Sequence, residues 1–420
     1  MTLEDYEKEM LRCSRCSHCK WVPLSQIKSW RFAYSCPSIS KYNFHTYSAG
    51  GRLIMGLALI KNMIDFSEKM MEIVYECQMC GACDVSCAFV SDRKPTEIIH
   101  ELRVKCVKEG TINPKLKEII EDTRKYSNPY RESQEERGDW AKGLNIKKLP
   151  EEKAEVLYYV GCTAAYRYPD IARNTATILK KAGVDFGILG KDEKCCTSTS
   201  FVIGDEKIFE EFAKENIETF NNLGVKTIVT SCAGCYHMLK VYYTRIAKPN
   251  YKVLHQSEFI AKLIKQGKIK LTREVPMRVT YHDPCHLGRL SEPYQPSYGK
   301  EYKVLNQLVI RDVKKVYGAK GVYEPPRRIL KKIPGLQLVE MERNREYAWC
   351  CGSGAGVKKL NPEFAEWTGE ERIEEAKATG AEAIVTACPF CVRGLEDAIK
   401  KKGEKMKVYE LNEIILKSMD

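Results

Sequence analysis

Hydrophobic and polar positions follow two different periods along this chain. In residues 53–75 apolar side chains (Leu57, Ile60, Ile64 and Met71 among them) recur at intervals close to whole helical turns, which predicts a helix. Residues 1–10 are acidic and read as the start of a surface helix. From about residue 112 to 153 the sequence turns charged, with Asn128-Pro129 and a charge run over 132–137. It reads as a connector with some helix. Beyond it, short apolar runs alternate with amphipathic stretches. Residues 155–160, 184–189 and 227–231 are predicted as buried strands, and 169–182 and 205–222 as helices. This alternation argues for an α/β fold with a parallel sheet covered by helices.

The later part of that alternation repeats the earlier part. Residues 223–235 read LGVKTIVTSCAGC and 379–391 read TGAEAIVTACPFC; KVLHQSEFI at 252–260 is echoed by KVYELNEII at 407–415. Cys195 and Cys350 stand 155 positions apart and Cys232 and Cys388 stand 156 apart, whereas Cys162 and Cys285 are separated by 123. The second copy therefore carries some 32 additional residues, placed at 290–323. We divide the chain into a helical domain (1–110), the connector (111–152), a first α/β unit (153–276) and a second (277–420).

Length and charge narrow the function classes. With 420 residues the chain builds two or three domains with real cores. No apolar run approaches the roughly 18–20 residues needed to span a bilayer; the nearest, 53–60, continues into Lys61 and Asn62. A charged-then-apolar leader with a small-residue cleavage site is absent. We therefore expect a cytoplasmic protein, peripheral on the membrane only through a partner. The 68 Lys and Arg exceed the 56 Asp and Glu, giving a formal charge of +12. Such a surface suits an anionic substrate, an acidic partner or a membrane face, or merely solvates helices. Nucleic acid is disfavoured, because no nucleic-acid motif accompanies the charge.

The cysteines point to the chemistry. Of nineteen, only Cys106 stands outside a set, and it reads as an ordinary buried residue. Tight CxxC spacing in a long chain without a leader argues for metal ligation under reducing conditions rather than for disulfides. Cys13, Cys16 and Cys19, and then Cys77, Cys80 and Cys83, form two C-x2-C-x2-C runs; Cys36, followed by Pro37, and Cys87 are remote fourth thiols. A run of this spacing wraps three thiolates around one corner of an iron–sulfur cube, and a distant cysteine closes it. In two-cluster ferredoxins the fourth ligand comes from the opposite run. That assigns one [4Fe-4S] cubane to Cys13, Cys16, Cys19 and Cys87 and the other to Cys77, Cys80, Cys83 and Cys36. Helical sequence between the runs makes this an α-helical ferredoxin. Two four-cysteine zinc sites are the alternative, although zinc ribbons use paired CxxC knuckles.

Ten cysteines remain, in two sets of five: Cys162, Cys195, Cys196, Cys232 and Cys235, then Cys285, Cys350, Cys351, Cys388 and Cys391. Each set puts one cysteine at a strand end, an adjacent pair in a loop and a CxxC at another strand end. Those strand ends share the rim where ligand sites gather in parallel α/β sheets. Five thiolates exceed what one zinc or one cubane takes, and adjacent cysteines suit neighbouring irons of a more open cluster. Buried apolar cysteine is the plainer alternative, and a duplicated pattern of ten argues against it.

The spacings C-x32-CC-x35-C-x2-C from Cys162 and C-x64-CC-x36-C-x2-C from Cys285 resemble the cysteine-rich CCG domains. Two such domains behind a two-cubane ferredoxin resemble the catalytic subunit of heterodisulfide reductase in its fused form. That family includes the iron–sulfur subunits of class II benzoyl-CoA reductases and related respiratory complexes. The resemblance implies two non-cubane [4Fe-4S] clusters, each held by one five-cysteine set. A disulfide of the CoM-S-S-CoB type would dock between them and take one electron from each. It also implies an electron-donating flavoprotein or membrane haem subunit, within a multi-subunit anaerobic redox complex. An electron-transfer subunit without its own substrate is the alternative within the same family. One departure stands out: Thr197 follows the first cysteine pair where the motif has glycine, while Gly352 follows the second.

His237, His282, His286 and Arg289 flank cysteines of the sets. They are candidates for protonating a leaving thiolate or holding an anionic substrate, with His286 the one assigned a catalytic role. Hydrogen bonding to cluster sulfurs or ordinary packing is the plainer role. Lys358, Lys359 and Arg393 lie near the second set and either attract sulfonate, phosphate or carboxylate groups or form an exposed helix face. His255 stands opposite Glu410 across the repeat, so that position is not a shared ligand. The glycine-rich 352–356 lets backbone approach a cluster. No Rossmann or Walker fingerprint is present, so neither flavin nor ATP is expected on this chain.

Overall fold

A computed structural model describes residues 1–88, 93–292, 301–305, 308–311 and 317–420. The N-terminal part is built from short helices and loops, chiefly Glu7–Leu11, Ala49–Ile60, Glu68–Tyr75, Ala82–Ala88 and Pro95–Lys108. Leu3, Met10, Leu53, Leu59, Met70 and Val74 pack with the fully buried Cys106 in its core.

The stretch 53–75, predicted as one helix, is two. After Ile60 the chain passes through Asn62 at φ 53°, a left-handed conformation that ends helices. Ser67 then caps the next helix, its hydroxyl accepting from the Met70 amide at 3.2 Å. Ile64, counted in the predicted apolar stripe, is 40 % exposed in the turn between. Buried Arg52 binds the two helices together. Its guanidinium donates to the carbonyls of Ile73 (2.9 Å) and Glu76 (2.8 Å), and so holds the backbone that leads into Cys77.

The predicted connector is less separate than its charge suggests. It contains the helix Pro114–Tyr126 and the 3-10 turn Gln134–Ala141, and then strand β1 (Lys147–Lys148). That strand adds in parallel to the edge of the first sheet. Lys148 is exposed there while the backbone completes a sheet edge.

The first sheet continues with β2 (Val156–Tyr159), β3 (Phe186–Ile188), β4 (Thr227–Thr230) and β5 (Lys252–His255), in the order β1-β3-β2-β4-β5. The second sheet uses β6 (Met277–His282), β9 (Leu336–Val339), β10 (Ala383–Thr386) and β11 (Lys407–Glu410), in the order β11-β10-β6-β9. Both sheets are parallel, and apart from β1 their orders coincide when the repeats are overlaid. A backbone hairpin of β7 (Glu301–Val304) and β8 (Leu308–Arg311) lies within the inserted 290–323; residues 293–300, 306–307 and 312–316 of that insertion lie outside the described residues. Strands β2 and β10 are buried along their whole length, as strands with helices on both faces must be.

Register brings the site together. Tyr159, Thr230 and His255 align at the carboxyl edge of the first sheet, and His282, Thr386 and Glu410 align at that of the second. The cysteines follow directly after these strand ends. One apolar core joins the two sheets, with Tyr158, Val229 and Ile260 meeting Val279, Ile384 and Leu411. A buried polar contact fixes their register: Asn412 Nδ2 donates to Thr175 Oγ1 (2.9 Å) and Gln256 Oε1 (2.8 Å). Satisfied polar groups of this kind specify one packing over alternatives.

Candidate functional site

Four groups of thiols assemble from the loops around these elements. Cys13, Cys16, Cys19 and Cys87 line one small cavity together. Cys36 comes close enough to Cys77 and Cys80 for their charges to interact, and Cys83 feels all three. Burial pushes the Cys36 thiol up to about 12.

In the first repeat, Cys162 and Cys195 sulfurs are 3.8 Å apart and Cys196 and Cys235 are 3.3 Å apart. In the second, Cys351, Cys391 and the His282 ring offer atoms within 4.8 Å of one another. Cys350 packs with Cys80 and Cys285 and lies close enough to Cys351 for their thiols to interact. The two CxxC turns also meet, since Cys232 and Cys388 lie close enough for their thiols to interact. Cys285, Cys350, Cys351, Cys388 and Cys391 line an inner cavity of about 50 Å³, with Thr199 and Gly234 of the first repeat opposite.

This donor set calls for metal. Contact with Cys195 and burial raise the Cys162 thiol well above its usual range. Contacts with Cys285, Cys351 and Cys80 do the same to Cys350, and contacts with Cys351 and Cys388 do so to Cys391. Thiolates packed this closely in low dielectric repel one another, and bound cations remove the cost. The residues therefore fit iron–sulfur clusters.

Backbone conformation after each cysteine pair is shared by the repeats, though the residue is not. Gly352 has φ 89° and Thr197 has φ 60°, both left-handed. Each amide points at the first sulfur of its pair, Thr197 to Cys195 at 3.3 Å and Gly352 to Cys350 at 3.4 Å. A Cβ on Gly352 would sit 2.1 Å from the Ala365 carbonyl, so only glycine fits there. Around Thr197 there is room, and its hydroxyl donates to the Cys196 carbonyl at 2.7 Å. The departure noted in the sequence leaves the loop geometry intact. Gly161 is constrained similarly, because a Cβ there would lie 2.7 Å from the Cys235 sulfur.

The histidines play different parts. His282 ends β6 where Tyr159 ends β2. Arg372 Nε donates to His282 Nδ1 at 3.0 Å. A guanidinium only donates, so His282 carries its proton on Nε2. Arg372 is held by Glu375 at 2.6 Å, which also accepts from Arg343 at 3.1 Å. His286 and His237 stack with ring centres 4.8 Å apart. His286 Nε2 and both His237 nitrogens are buried with no hydrogen-bond partner among the described residues, and His286 lines the inner cavity. His255, at the carboxyl edge of the first sheet, serves as a helix cap, its Nδ1 accepting from the Ser257 amide at 3.2 Å. Glu410 does the same for Asn412 at 2.8 Å.

Arg289 turns out to be a tether. Fully buried, it donates to the Cys80 carbonyl at 2.6 Å and to the Ala348 carbonyl at 2.6 Å, joining the N-terminal part to the second repeat. Sequence reading missed the buried pairs Arg137–Glu193 (2.8 Å) and Arg327–Asp283 (2.6 Å) beside the first cysteine of each set. It also missed Arg131 and Arg167, which with Lys358, Lys359, Tyr130 and Arg393 line an outer cavity of about 430 Å³. Thr199, Ala355 and Phe390 wall both cavities. Most of these cations are paired, Arg131 with Asp122 (2.8 Å), Lys359 with Glu118 (3.0 Å), Lys358 with Asp397 and Arg167 with Glu132. Arg393 alone among them has no acidic partner among the described residues.

Comparison with known proteins agrees with this architecture. Residues 9–89 match the 4Fe-4S dicluster domain, and residues 156–240 and 314–396 match the cysteine-rich domain called CCG. The D-type subunit of dihydromethanophenazine:CoB--CoM heterodisulfide reductase from Methanosarcina mazei is 32 % identical over 98 % of this chain and 94 % of its own length. The B-type subunit of fumarate reductase (CoM/CoB) from Methanothermobacter marburgensis is 30 % identical over 98 % of the chain and 73 % of its length. EtfAB:quinone oxidoreductase of Syntrophomonas wolfei is 30 % identical over 83 % and 47 %. By its N-terminal dicluster part, its two cysteine-rich repeats and its near full-length likeness, this chain is an iron–sulfur oxidoreductase and belongs to the family of D-type heterodisulfide reductase subunits.

Proposed function

We propose that this chain reduces a disulfide joining two small thiols, R–S–S–R′ + 2 e⁻ + 2 H⁺ → R–SH + R′–SH, or runs the reverse. The observation that carries this reading is the closeness of the two five-cysteine sets, Cys232 against Cys388, beside a walled cavity lined by the second set and faced by Ala233 and Gly234 of the first set's CxxC turn. In it, Cys162, Cys195, Cys196, Cys232 and Cys235 hold one non-cubane [4Fe-4S] cluster and Cys285, Cys350, Cys351, Cys388 and Cys391 the other. When bound, these clusters supply an iron for each sulfur of the disulfide and one electron apiece. Cys13, Cys16, Cys19 and Cys87 hold one cubane and Cys77, Cys80, Cys83 and Cys36 the second, for about sixteen irons per chain.

Contacts between the sets support an order for the electrons. Cys80 touches Cys350, so the cubane at Cys77, Cys80, Cys83 and Cys36 adjoins the second repeat, and the cubane at Cys13, Cys16, Cys19 and Cys87 lies upstream. Arg289 keeps that junction closed. Phe390 and Thr199 shield the inner cavity from water. Arg393, uncommitted at the outer cavity, binds an anionic group on the far end of a thiol. His286, on the cavity wall with a free Nε2, hands a proton to the departing thiolate.

An electron donor completes the system: a flavoprotein or a membrane haem subunit in a larger complex. Among the described residues no helix is long and apolar enough to cross a membrane, so peripheral attachment through that partner fits. The names of two relatives, EtfAB:quinone oxidoreductase and fumarate reductase (CoM/CoB), favour a second reading in which the chain relays electrons without a substrate of its own. Reduced methyl viologen and the CoM–CoB disulfide separate the two. We expect iron-loaded protein to oxidise two viologens per disulfide and release two thiols. Full iron content with no turnover, and no change in the EPR spectrum on adding either thiol, would establish the relay reading instead.

A further inference from the structure

Cys16 is the one exposed cysteine among the nineteen. It lies in a segment of unusual charge: from Met10 to Ile64 there is no Asp or Glu, against eight Lys and Arg. Three of those eight are committed, Arg52 to buried carbonyls, Arg31 to Glu371 and Lys61 to Glu7. Arg12, Arg15, Lys20 and Lys28 reach solvent with no ion pair among the described residues. Arg12, Arg15 and Lys20 adjoin Cys13, Cys16 and Cys19 along the chain. Arg15, His18, His45 and Arg93 line the same cavity as Cys13 and Cys16, and His45 is held below its usual range by burial and by the nearby charges of Lys20 and Arg15. Four large apolar side chains of the same segment, Leu11, Leu24, Trp30 and Phe44, are 59 %, 68 %, 77 % and 65 % exposed.

We infer that this basic, apolar-studded face around Cys16 is the docking surface for the electron donor, and that the donor is a redox protein with an acidic face. The inference rests on Cys13, Cys16, Cys19 and Cys87 holding a cubane, not on the identity of the disulfide. Charge complementarity argues for the occupant: an uncompensated positive field speeds capture of an acidic carrier and orients it, while exposed aromatic and aliphatic residues supply the dry centre of a short-lived interface. A lipid surface is the weaker fit. The exposed apolar residues are spread over the end of one short helix (Leu11), the starts of two 3-10 turns (Leu24 and Trp30) and the residue before a third (Phe44) rather than along one continuous amphipathic helix, and a site whose exposed thiol is a cluster ligand needs an occupant that brings electrons. Each encounter moves one electron: the docked flavin or iron–sulfur carrier is oxidised by one, the cubane reduced by one, and two encounters supply one disulfide.

The test is anaerobic stopped-flow reduction of the iron-loaded full chain, with a reduced acidic two-cluster ferredoxin as probe donor. The wild-type rate should fall about tenfold or more from low to high ionic strength. Arg15→Glu/Lys20→Glu should lower the low-salt rate by about tenfold, and Arg15→Gln/Lys20→Gln by a smaller factor. Iron content, the reduced-cluster EPR spectrum and the final extent of reduction by dithionite should match wild type. Lys268→Glu, on an exposed turn far along the chain, should leave the rate unchanged. A wild-type rate insensitive to salt, or charge-reversed protein reduced as fast as wild type, would overturn the proposal. So would loss of binding to phosphatidylglycerol vesicles in these variants with ferredoxin rates unaltered, which would give the face to a membrane. Viologen-driven disulfide reduction bypasses the face, so its failure and the failure of docking are read separately.

Discussion

After its cysteine pair the first repeat carries Thr197, the second Gly352; at the end of its leading strand the first carries Tyr159, the second His282. Strand order apart from β1, cap geometry and, within one residue, the spacing from cysteine pair to CxxC are shared by the repeats, so these substitutions are clear places where the two halves part. In the first repeat Tyr159 donates to the Lys194 carbonyl at 2.6 Å and is spent on the backbone of its own loop. In the second, His282 turns its protonated nitrogen toward Cys351 and Cys391 under the grip of Arg372. In the second repeat Cys350 packs against Cys80 of the N-terminal part. Duplication made two equal frames, and contact with the N-terminal part makes them unequal.

The sharpest way to break this comparison is Gly352→Ala. Its Cβ would meet the Ala365 carbonyl at 2.1 Å, a clash with backbone that only displacement of the loop relieves. We expect the variant to lose the cluster proposed for the second cysteine set, with about four fewer irons per chain and loss of the proposed disulfide reduction. Retention of wild-type iron and EPR would show the loop to be far more pliable than its packing implies.

A second, finer test sets His282→Leu against Tyr159→Phe. A hydrogen bond to cluster sulfur raises the reduction potential. Removing His282 should lower one midpoint by on the order of 60 mV, about 1.4 kcal/mol for one electron, while Tyr159→Phe moves neither. Equal shifts in both variants, read by EPR-monitored potentiometry, would remove the asymmetry we describe.

The paired caps give the two halves opposite responses to pH. Burial pulls His255 down to about 4 from 6.5, so its stabilising neutral form is fully present above 6.5 and lost as pH falls toward 4. Burial raises Glu410 from 4.5 to about 8, so its neutral form stabilises fully below 4.5 and that contribution is lost as pH rises through 8. Each is worth on the order of a few kcal/mol. Thermal midpoints of the iron-loaded protein should therefore decline less toward acid in His255→Asn and less toward pH 8 in Glu410→Gln. Slopes identical to wild type would mean that the caps titrate as free residues.

Thr197→Gly should do least. Relief of a left-handed threonine, about 1–2 kcal/mol, is offset by the entropy of glycine, about 0.5–1 kcal/mol, and by loss of the bond to the Cys196 carbonyl. A midpoint within about 1 kcal/mol of wild type, with iron content kept, is the expected result; loss of iron would show that the Thr197 hydroxyl, not the backbone, secures the loop.

Local features were legible where the cause was local. Strands at 155–160 and 227–231 appeared in the sequence because a strand buried on both faces must be apolar throughout, and the one near 184 because it follows directly on a helix; Lys252–His255 showed only as part of a repeated stretch, and its strand came from the structure. The single helix over 53–75 failed because Asn62 and Ser67, a stop and a cap, were outvoted by the apolar period around them. The connector's expected helix is there at Pro114–Tyr126, but its strand β1 was not legible, because a charge run at 132–137 does not say whether the backbone nearby joins a sheet. Nothing local announced Arg137 beside Glu193 or Arg372 behind His282, because such pairs join residues dozens of positions apart.

By itself the sequence determined the α/β and ferredoxin-like class, the duplication, the candidate thiols and the iron–sulfur chemistry, because ligand spacing and hydrophobic period are properties of neighbours along the chain. Tertiary structure alone decided which thiol groups adjoin: Cys80 against Cys350, Cys232 against Cys388, Cys16 facing solvent. Those juxtapositions arise from packing two sheets and a helical cap into one core, and no short stretch of sequence encodes a distance across that core.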